Sequence, residues 1–174
     1  MTKSTKVANL HPPKLPRSGS IKIDRTACLT CRECEVVCSL YHEGECNPAL
    51  SRIQINFDDF TAGLPSLLVC KQCDWPACYY ACADVLGEPA IEIDPVTGAR
   101  FINESSCIGC GACLRACPLT PEMPVIYYKM VNSKRIYFKC DLCKDRVEGP
   151  LCVEICPGEA LTFVPAKKGG KADD

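Results

Sequence analysis

Cysteine dominates the chemistry available to this sequence, because it accounts for 17 of the 174 residues. Sixteen of these thiols fall into four blocks of four, and Cys46 stands apart. In chain order, blocks one to four are Cys28, Cys31, Cys34 and Cys38; Cys70, Cys73, Cys78 and Cys82; Cys107, Cys110, Cys113 and Cys117; Cys140, Cys143, Cys152 and Cys156. Thiolates bind zinc or iron-sulfur clusters, or they oxidise to disulfides, so the spacing within the blocks must distinguish these chemistries.

Blocks one and three both have the spacing C-x2-C-x2-C-x3-C, and Pro118 follows block three. This run is typical of bacterial proteins that hold two [4Fe-4S] clusters. The first three thiols can surround one cluster, whereas the fourth lies one helical turn later, about 6 Å further along the axis. We therefore expect the fourth Cys of each block to bind a second cluster that takes its other ligands from a partner block.

Blocks two and four keep the first and last gaps of this pattern but have longer middle gaps, of four and eight residues. Pro157 follows block four as Pro118 follows block three. We interpret the longer gaps as extended loops between the second and third ligands. Four sets of four thiols match the ligands of four [4Fe-4S] clusters.

Zinc and disulfides are the alternatives. Four thiolates can also bind zinc, but zinc ribbons pair two C-x2-C units and give no role to a C-x3-C-P ending. A disulfide framework needs an oxidising compartment and an even number of cysteines. Residues 1–20 contain neither an apolar run nor an Arg-Arg pair, so we expect a cytoplasmic protein with reduced thiols. A cluster with four protein ligands has no open iron for substrate, so one-electron transfer without catalysis is expected.

Composition argues against two other kinds of partner. The net charge is −1 with both signs interspersed, so no basic surface for nucleic acid is expected. The longest apolar stretch, LPSLLVC, is far too short to cross a bilayer, so no membrane insertion is expected.

An internal duplication organises the elements that must position the cysteines. The segment IKIDRTACLTCRECEVVC aligns with RFINESSCIGCGACLRAC. A second, looser alignment relates block two, CKQCDWPACYYAC, to block four, and relates GEPAIEI, which follows block two, to GEALTFV, which follows block four. Hairpins are predicted for AIEID with ARFIN and for VIYYKM with RIYFK. SIKID and ALTFV are predicted strands, and CEVVCSLYH and CLRAC are predicted short helices.

Four side chains near the blocks have expected structural roles. Trp75, Tyr79 and Tyr80 are expected to shield a cluster from water. His42 is expected to lie at the end of a helix and to form a hydrogen bond with the backbone.

The four blocks resemble the four-cluster ferredoxin-like electron-transfer subunits of molybdenum and tungsten oxidoreductases, the dimethyl sulfoxide reductase and formate dehydrogenase type. The resemblance extends over roughly residues 20 to 165, and the stretch CLTCRECEVVCSLYHEGECNPALSRI is most similar to small subunits of tungsten aldehyde oxidoreductase-type enzymes. It implies four ligand sets: Cys28, Cys31, Cys34 and Cys156; Cys140, Cys143, Cys152 and Cys38; Cys70, Cys73, Cys78 and Cys117; Cys107, Cys110, Cys113 and Cys82.

The resemblance also implies a fold and partners. We expect an α+β fold of two pseudo-symmetric bacterial 2[4Fe-4S] ferredoxin-like modules, an outer one from residues 21–60 and 130–165 and an inner one from 61–129. Residues 1–20 are expected to be a mobile arm and 166–174 a disordered tail.

The expected function is electron transfer between a tungsten or molybdenum catalytic subunit and a flavoprotein or ferredoxin acceptor. Self-association into a longer electron path is a further expectation. A carbon monoxide dehydrogenase complex, a formate dehydrogenase or hydrogenase complex, and a zinc-binding scaffold are the alternatives.

Overall fold

A computed structural model describes residues 15–56 and 63–166 of the chain. This part of the chain folds into short strands and short helices in mixed order, as an α+β ferredoxin-like protein requires. In chain order the elements are β1 Ser20–Ile23, α1 Glu33–Glu43, β2 Ile53–Asn56, β3 Ser66–Val69, α2 Ala77–Leu86, β4 Ile91–Ile93, β5 Arg100–Ile102, α3 Ala112–Ala116, β6 Ile126–Val131, β7 Lys134–Lys139, α4 Leu151–Glu154 and β8 Leu161–Val164. The predicted arm and tail lie mostly outside the described residues.

The two predicted hairpins are confirmed, since β4 pairs with β5 and β6 pairs with β7 in antiparallel register. The predicted helices are confirmed as α1 and α3, and the predicted terminal strands as β1 and β8. The hairpin of β2 and β3 was not predicted from the sequence. Its strands bury Ile53, Ile55 and Leu67, and the last two line a pocket that also contains thiols of blocks one and four.

Strands β1 and β8 come from near opposite ends of the chain and pair with each other antiparallel. Ile23 lies opposite Leu161, and the amide of Asp24 donates to the carbonyl of Ala160 at 2.8 Å. In the hairpin of β4 and β5 the amide of Asn103 donates to the carbonyl of Ala90, also at 2.8 Å. The duplicated sequence relates Asp24 to Asn103, so the same register recurs at related positions.

The helices follow the same arrangement as the strands. Helix α1 packs against α4, and α2 packs against α3. Each pair therefore brings together the last thiol of one block and the third thiol of another, because the thiols lie on or at the ends of these helices.

The buried interior mixes aliphatic side chains with cysteines. Ile53 and Ile91 are almost completely buried, and they belong to the same buried cluster as thiols such as Cys34 and Cys152. Sulfur ligands thus occupy much of the space that a larger apolar core fills in other small proteins. Within the described ranges, no helix is long and apolar enough to cross a membrane.

Candidate metal centres

Three pockets of the structure are each lined by four cysteines drawn from two blocks. We name them site A, with Cys28, Cys31, Cys34 and Cys156; site C, with Cys70, Cys73, Cys78 and Cys117; and site D, with Cys82, Cys107, Cys110 and Cys113. Each pocket combines three thiols of one block with the last thiol of another. These are the combinations that the sequence resemblance implies.

The remaining thiols, Cys38, Cys140, Cys143 and Cys152, define site B. All four are buried. Burial raises the pKa of Cys152 well above its ordinary value, and the nearby Cys38 and Cys143 thiols raise it further. Burial likewise raises the pKa of Cys140, with Cys152 as its strongest charged neighbour. The thiols of site B therefore lie close enough to influence one another's pKa.

One backbone feature recurs in all four blocks, at the residue just before the second Cys. Thr30, Gln72, Gly109 and Leu142 have φ angles of 57°, 51°, 79° and 61°. The left-handed turn directs amide groups towards sulfur: the Gln72 amide donates to Cys70 Sγ at 3.5 Å, and the Leu142 amide donates to Cys140 Sγ at 3.4 Å. Side chains other than glycine adopt this conformation at a cost of about 1–2 kcal/mol, and such strain concentrates at functional sites.

The thiol chemistry fits a metal group with several negative ligands. Burial raises the pKa of Cys34 to about 12, that of Cys113 to about 12 and that of Cys78 to about 11. Such thiols stay protonated at neutral pH unless a metal displaces the proton. Soft thiolate sets of this kind select zinc or iron-sulfur clusters.

The separation of the sulfurs distinguishes these two candidates. Zinc at 2.3 Å from four thiolates holds them roughly 3.8 Å apart. In the described part of the chain, the one group of three or more ligand atoms that all lie within 4.8 Å of one another is His42, Asp141 and Cys143. The sulfurs of sites A to D are therefore spread more widely than a single zinc ion requires, and they fit a larger cluster better.

The position of His42 in the last turn of α1 agrees with the prediction, but the contacts of its ring do not. The recorded contacts of its ring are with side chains, since Nε2 lies 3.4 Å from Asp141 Oδ1 and 3.9 Å from Cys143 Sγ. Burial lowers the pKa of His42 to about 4, so the ring is neutral at physiological pH. Cys143 already belongs to site B, so His42 is best placed as a neighbour of that site.

Sites B and C meet at polar groups that the sequence analysis did not single out. Lys139 Nζ lies 3.5 Å from Cys70 Sγ, donates to the Cys140 carbonyl at 3.1 Å, and also contacts the Arg100 carbonyl. Gln72 Nε2 donates to the same two carbonyls, at 2.7 Å to Cys140 and 3.1 Å to Arg100. Burial lowers the pKa of Lys139, but the Cys70, Cys78 and Cys140 thiolates outweigh this effect and raise it.

Exposure differs sharply between the sites. Cys31 of site A and Cys110 of site D are exposed, whereas every thiol of site B is buried and those of site C are buried or half-buried. Beside the exposed thiols, Leu29 is 63% exposed and Ile108 is 51% exposed. Sites A and D therefore reach the surface.

The prediction that aromatic residues shield block two stays a prediction. Tyr79 and Cys78 both pack against the core, and Trp75, which is 57% exposed, has its ring centroid 6.5 Å from that of Tyr80. Cys46 is exposed and belongs to none of the four sites.

The fold and the four thiol sets define an iron-sulfur protein of the ferredoxin type. A family model described as the 4Fe-4S dicluster domain matches residues 64–166, which is more than half of the chain. The chain belongs to this family.

Three curated relatives indicate the kind of protein to which this chain is similar. The chain is 42% identical over 138 residues to the "Aliphatic sulfonate oxidoreductase, polyferredoxin-like subunit" of Pyrococcus furiosus, covering 78% of this chain and 70% of the relative. It is 34% identical over 152 residues to the "Putative electron transport protein YsaA" of Escherichia coli, covering 83% and 88%. It is 28% identical over 169 residues to "Formate hydrogenlyase subunit 2" of Escherichia coli, covering 81% and 79%. The chain is thus related to electron-transfer proteins and subunits of oxidoreductase complexes.

Proposed function

We propose that this protein is a non-catalytic electron-transfer subunit that holds four [4Fe-4S] clusters, one in each of sites A to D. The observation that carries the proposal is the set of four thiol groups, each assembled from two blocks, with sulfurs too widely spaced for single zinc ions. When bound, each cluster supplies one reversible one-electron couple whose potential depends on nearby charge, hydrogen bonds to sulfur and exposure.

The contacts between sites support a linear order A–B–C–D. Blocks one and four exchange their last thiols, Cys38 and Cys156, which makes A and B neighbours. Blocks two and three exchange Cys82 and Cys117, which makes C and D neighbours. Lys139 bridges B and C through its contacts with a thiol of C and a carbonyl of B.

This order gives the path two ends. Sites A and D each carry an exposed thiol next to an exposed apolar side chain, Leu29 or Ile108. Buried B and half-buried C lie between them. An electron donor docking at one end and an acceptor docking at the other would thus exchange electrons while water is kept from the centre.

We further propose that the chain consists of two pseudo-symmetric ferredoxin-like modules, from residues 21–60 with 130–165 and from 61–129. The matching strand registers and the equivalent amide contacts at Asp24 and Asn103 support this division. The matched helix pairs support it as well.

For the partner, we propose a catalytic subunit with a tungsten or molybdenum cofactor, of the aldehyde oxidoreductase type, and a flavoprotein or ferredoxin as acceptor in the cytoplasm. The similarity of block one and the 42% identity to a polyferredoxin-like oxidoreductase subunit support this choice. The likeness to a formate hydrogenlyase subunit favours a second candidate, a hydrogenase-linked or formate dehydrogenase complex. Self-association end to end stays a prediction.

The test is to purify the chain anaerobically with its natural partners and to measure tungsten, molybdenum and nickel in the complex. Tungsten or molybdenum in a one-to-one ratio with the chain, together with oxidation of aldehydes by the complex, supports the first candidate, whereas nickel, or oxidation of formate by the complex, supports the second. Electron transfer through the complex is then measured for Cys31→Ser and for the control Cys46→Ser. We expect the first variant to slow transfer through site A and the control to leave it unchanged, while equal rates would contradict the path.

A further inference from the structure

Two buried cations line the pocket of site C. Lys139 is 2% exposed and Arg100 is 1% exposed, and both face the pocket that Cys70, Cys73 and Cys78 enclose with Cys117. Taking a charged group out of water is costly unless opposite charge compensates it. Lys139 and Arg100 therefore need nearby negative charge to offset the free-energy cost of their burial.

Protein carboxylates do not supply that charge to Lys139. Its hydrogen-bond partners are Cys70 Sγ and the carbonyls of Arg100 and Cys140. Among the ion pairs of the described residues, none includes Lys139. The negative groups that face Lys139 are the thiolates of the metal sites themselves.

Site B shows how a cation elsewhere in this protein is compensated. The amide of Arg52 donates to Cys38 Sγ at 3.3 Å, so Arg52 lies beside a thiol of site B. Its guanidinium pairs with Glu43 at 3.0 Å and lies 3.8 Å from Glu104. The positive charge beside site B is therefore neutralised by protein carboxylates.

Site A lies next to a buried negative charge rather than a positive one. Glu35 is 1% exposed and directly follows Cys34, and one of its carboxylate oxygens accepts the Ile55 amide at 2.7 Å. The other oxygen pairs with Arg32, whose side chain is 50% exposed and thus screened by water.

Site D has Arg115, whose Nη1 donates to the Cys110 carbonyl at 3.1 Å, but this contact is exposed and is therefore screened by water. At site C, Arg100 has the carboxylate of Asp74 among its charged neighbours, whereas the charged neighbours of Lys139 are thiols. Among the described residues, site C therefore has the most uncompensated buried positive charge, through Lys139, and site A has buried negative charge.

We propose that Lys139, together with Arg100, gives the cluster at site C the highest reduction potential of the four clusters in the electron path. The inference rests on the proposed function, since it assumes that a [4Fe-4S] cluster occupies site C. Reduction adds one electron from an external donor to that site, so the site becomes more negative beside the buried Lys139 Nζ. A cation in a poorly solvated interior stabilises the extra negative charge, whereas an exposed cation is screened. Electrons entering at site A or D would therefore collect at the centre.

The experiment is a redox titration of the full-length, cluster-loaded protein, followed by electron paramagnetic resonance. For Lys139→Met, we expect the equilibrium constant for reduction of one cluster to fall at least tenfold, equivalent to about 59 mV for a one-electron couple. Lys71 provides the matched control, because it neighbours Cys70 but is exposed. We expect Lys71→Met to change every equilibrium constant by less than threefold, and Lys139→Arg to preserve the native values.

A second measurement identifies the affected cluster in the otherwise native protein. Cys73→Ser changes a ligand of site C, so it should alter the signal that appears first during reduction. If Cys73→Ser alters a lower-potential signal instead, the proposal is wrong, whether or not Lys139→Met assembles. Unchanged potentials in a Lys139→Met protein with native iron content would also overturn it. Iron and sulfide analysis of the native protein separates this failure from failure of the proposed function, which would appear as missing iron.

Discussion

Blocks one and three share a backbone although their side chains differ. Thr30 and Gly109 occupy equivalent positions with φ angles of 57° and 79°, and Arg32 and Gly111 do so with 64° and 72°. Glycine accepts this conformation freely, whereas Thr and Arg adopt it only under strain. The spacing of the thiols therefore imposes the turn, and the residue type follows other constraints.

Packing is one of those other constraints. A Cβ atom on Gly109 would collide with the backbone carbonyl oxygen of Arg135, because β7 passes directly against block three. Thr30, at the equivalent position of block one, is exposed and already carries a Cβ atom. Block three is thus tightly covered at a position where block one is open.

Charge is the other constraint. Helix α1 carries the buried Glu35, which pairs with the half-exposed Arg32 just before the helix, whereas the equivalent positions of block three are Leu114 and Gly111. The two ends of the proposed path therefore have the same ligand geometry and different local fields. Duplicated ligand loops can keep one backbone while their potentials diverge.

The largest expected effect is a loss of stability when the turn of block three is changed at Gly109, compared with the same change at Thr30 in block one. Gly109→Ala adds left-handed strain of about 1–2 kcal/mol and an overpacking penalty of about 1–3 kcal/mol. We expect site D to lose iron and the chain to lose its visible absorbance at a lower temperature. The matched variant Thr30→Ala changes neither the strain nor a close contact, so its stability should stay within about 0.5 kcal/mol of native. Equal losses in the two variants would show that the difference in packing is unimportant.

A smaller effect should follow from Glu35→Gln. The Ile55 amide loses a charged acceptor and keeps a neutral one, so we expect a loss of about 1–2 kcal/mol in stability. Removing the buried negative charge should also raise the potential of site A and leave site D unchanged, as measured by redox titration. The control is Glu33→Gln, an exposed change in the same helical turn. An unchanged potential at site A would contradict the account of the two fields.

The smallest effect concerns the turns that precede the two blocks. Asn103 accepts the Ser105 amide at 3.0 Å and donates to Glu92 at 2.6 Å, while Asp24 accepts from the amide and hydroxyl of Thr26 and from the Ala27 amide, all within its own turn. We expect Asn103→Ala to cost about 0.5–1.5 kcal/mol, because a cross-strand hydrogen bond disappears together with the turn. Asp24→Ala is the matched change and should cost less, since its group is fully exposed. Thermal melting of both variants checks this ranking, and a larger loss for Asp24→Ala would reverse it.

Much of the architecture can be predicted from the cysteine spacing and the local strand patterns. The gaps of two and three residues limit the reach of the chain, so they indicate which thiols can share a cluster and which cannot. The hairpin turns at Pro95 to Gly98 and at Asn132 with Ser133 contain typical turn residues, and both hairpins are present. The four ligand sets themselves stay predictions until the metal content is known.

Long-range contacts account for what could not be predicted. Lys139 meets Cys70 across 69 positions of sequence, and Gln72 meets the Cys140 carbonyl across 68. No local pattern indicates such contacts, because they form only when two distant blocks are brought together. The left-handed turns at Thr30 and Leu142 were missed for a related reason, since neither residue favours that conformation by itself.

The measurement that tests the central claim most directly is the content of iron, acid-labile sulfide and zinc in one anaerobically purified sample of the full-length protein. The account predicts about sixteen iron and about sixteen sulfide per chain, with interacting paramagnetic signals after reduction by dithionite. About four zinc per chain, with no sulfide and no paramagnetic signal, would contradict it and identify a zinc-binding scaffold instead.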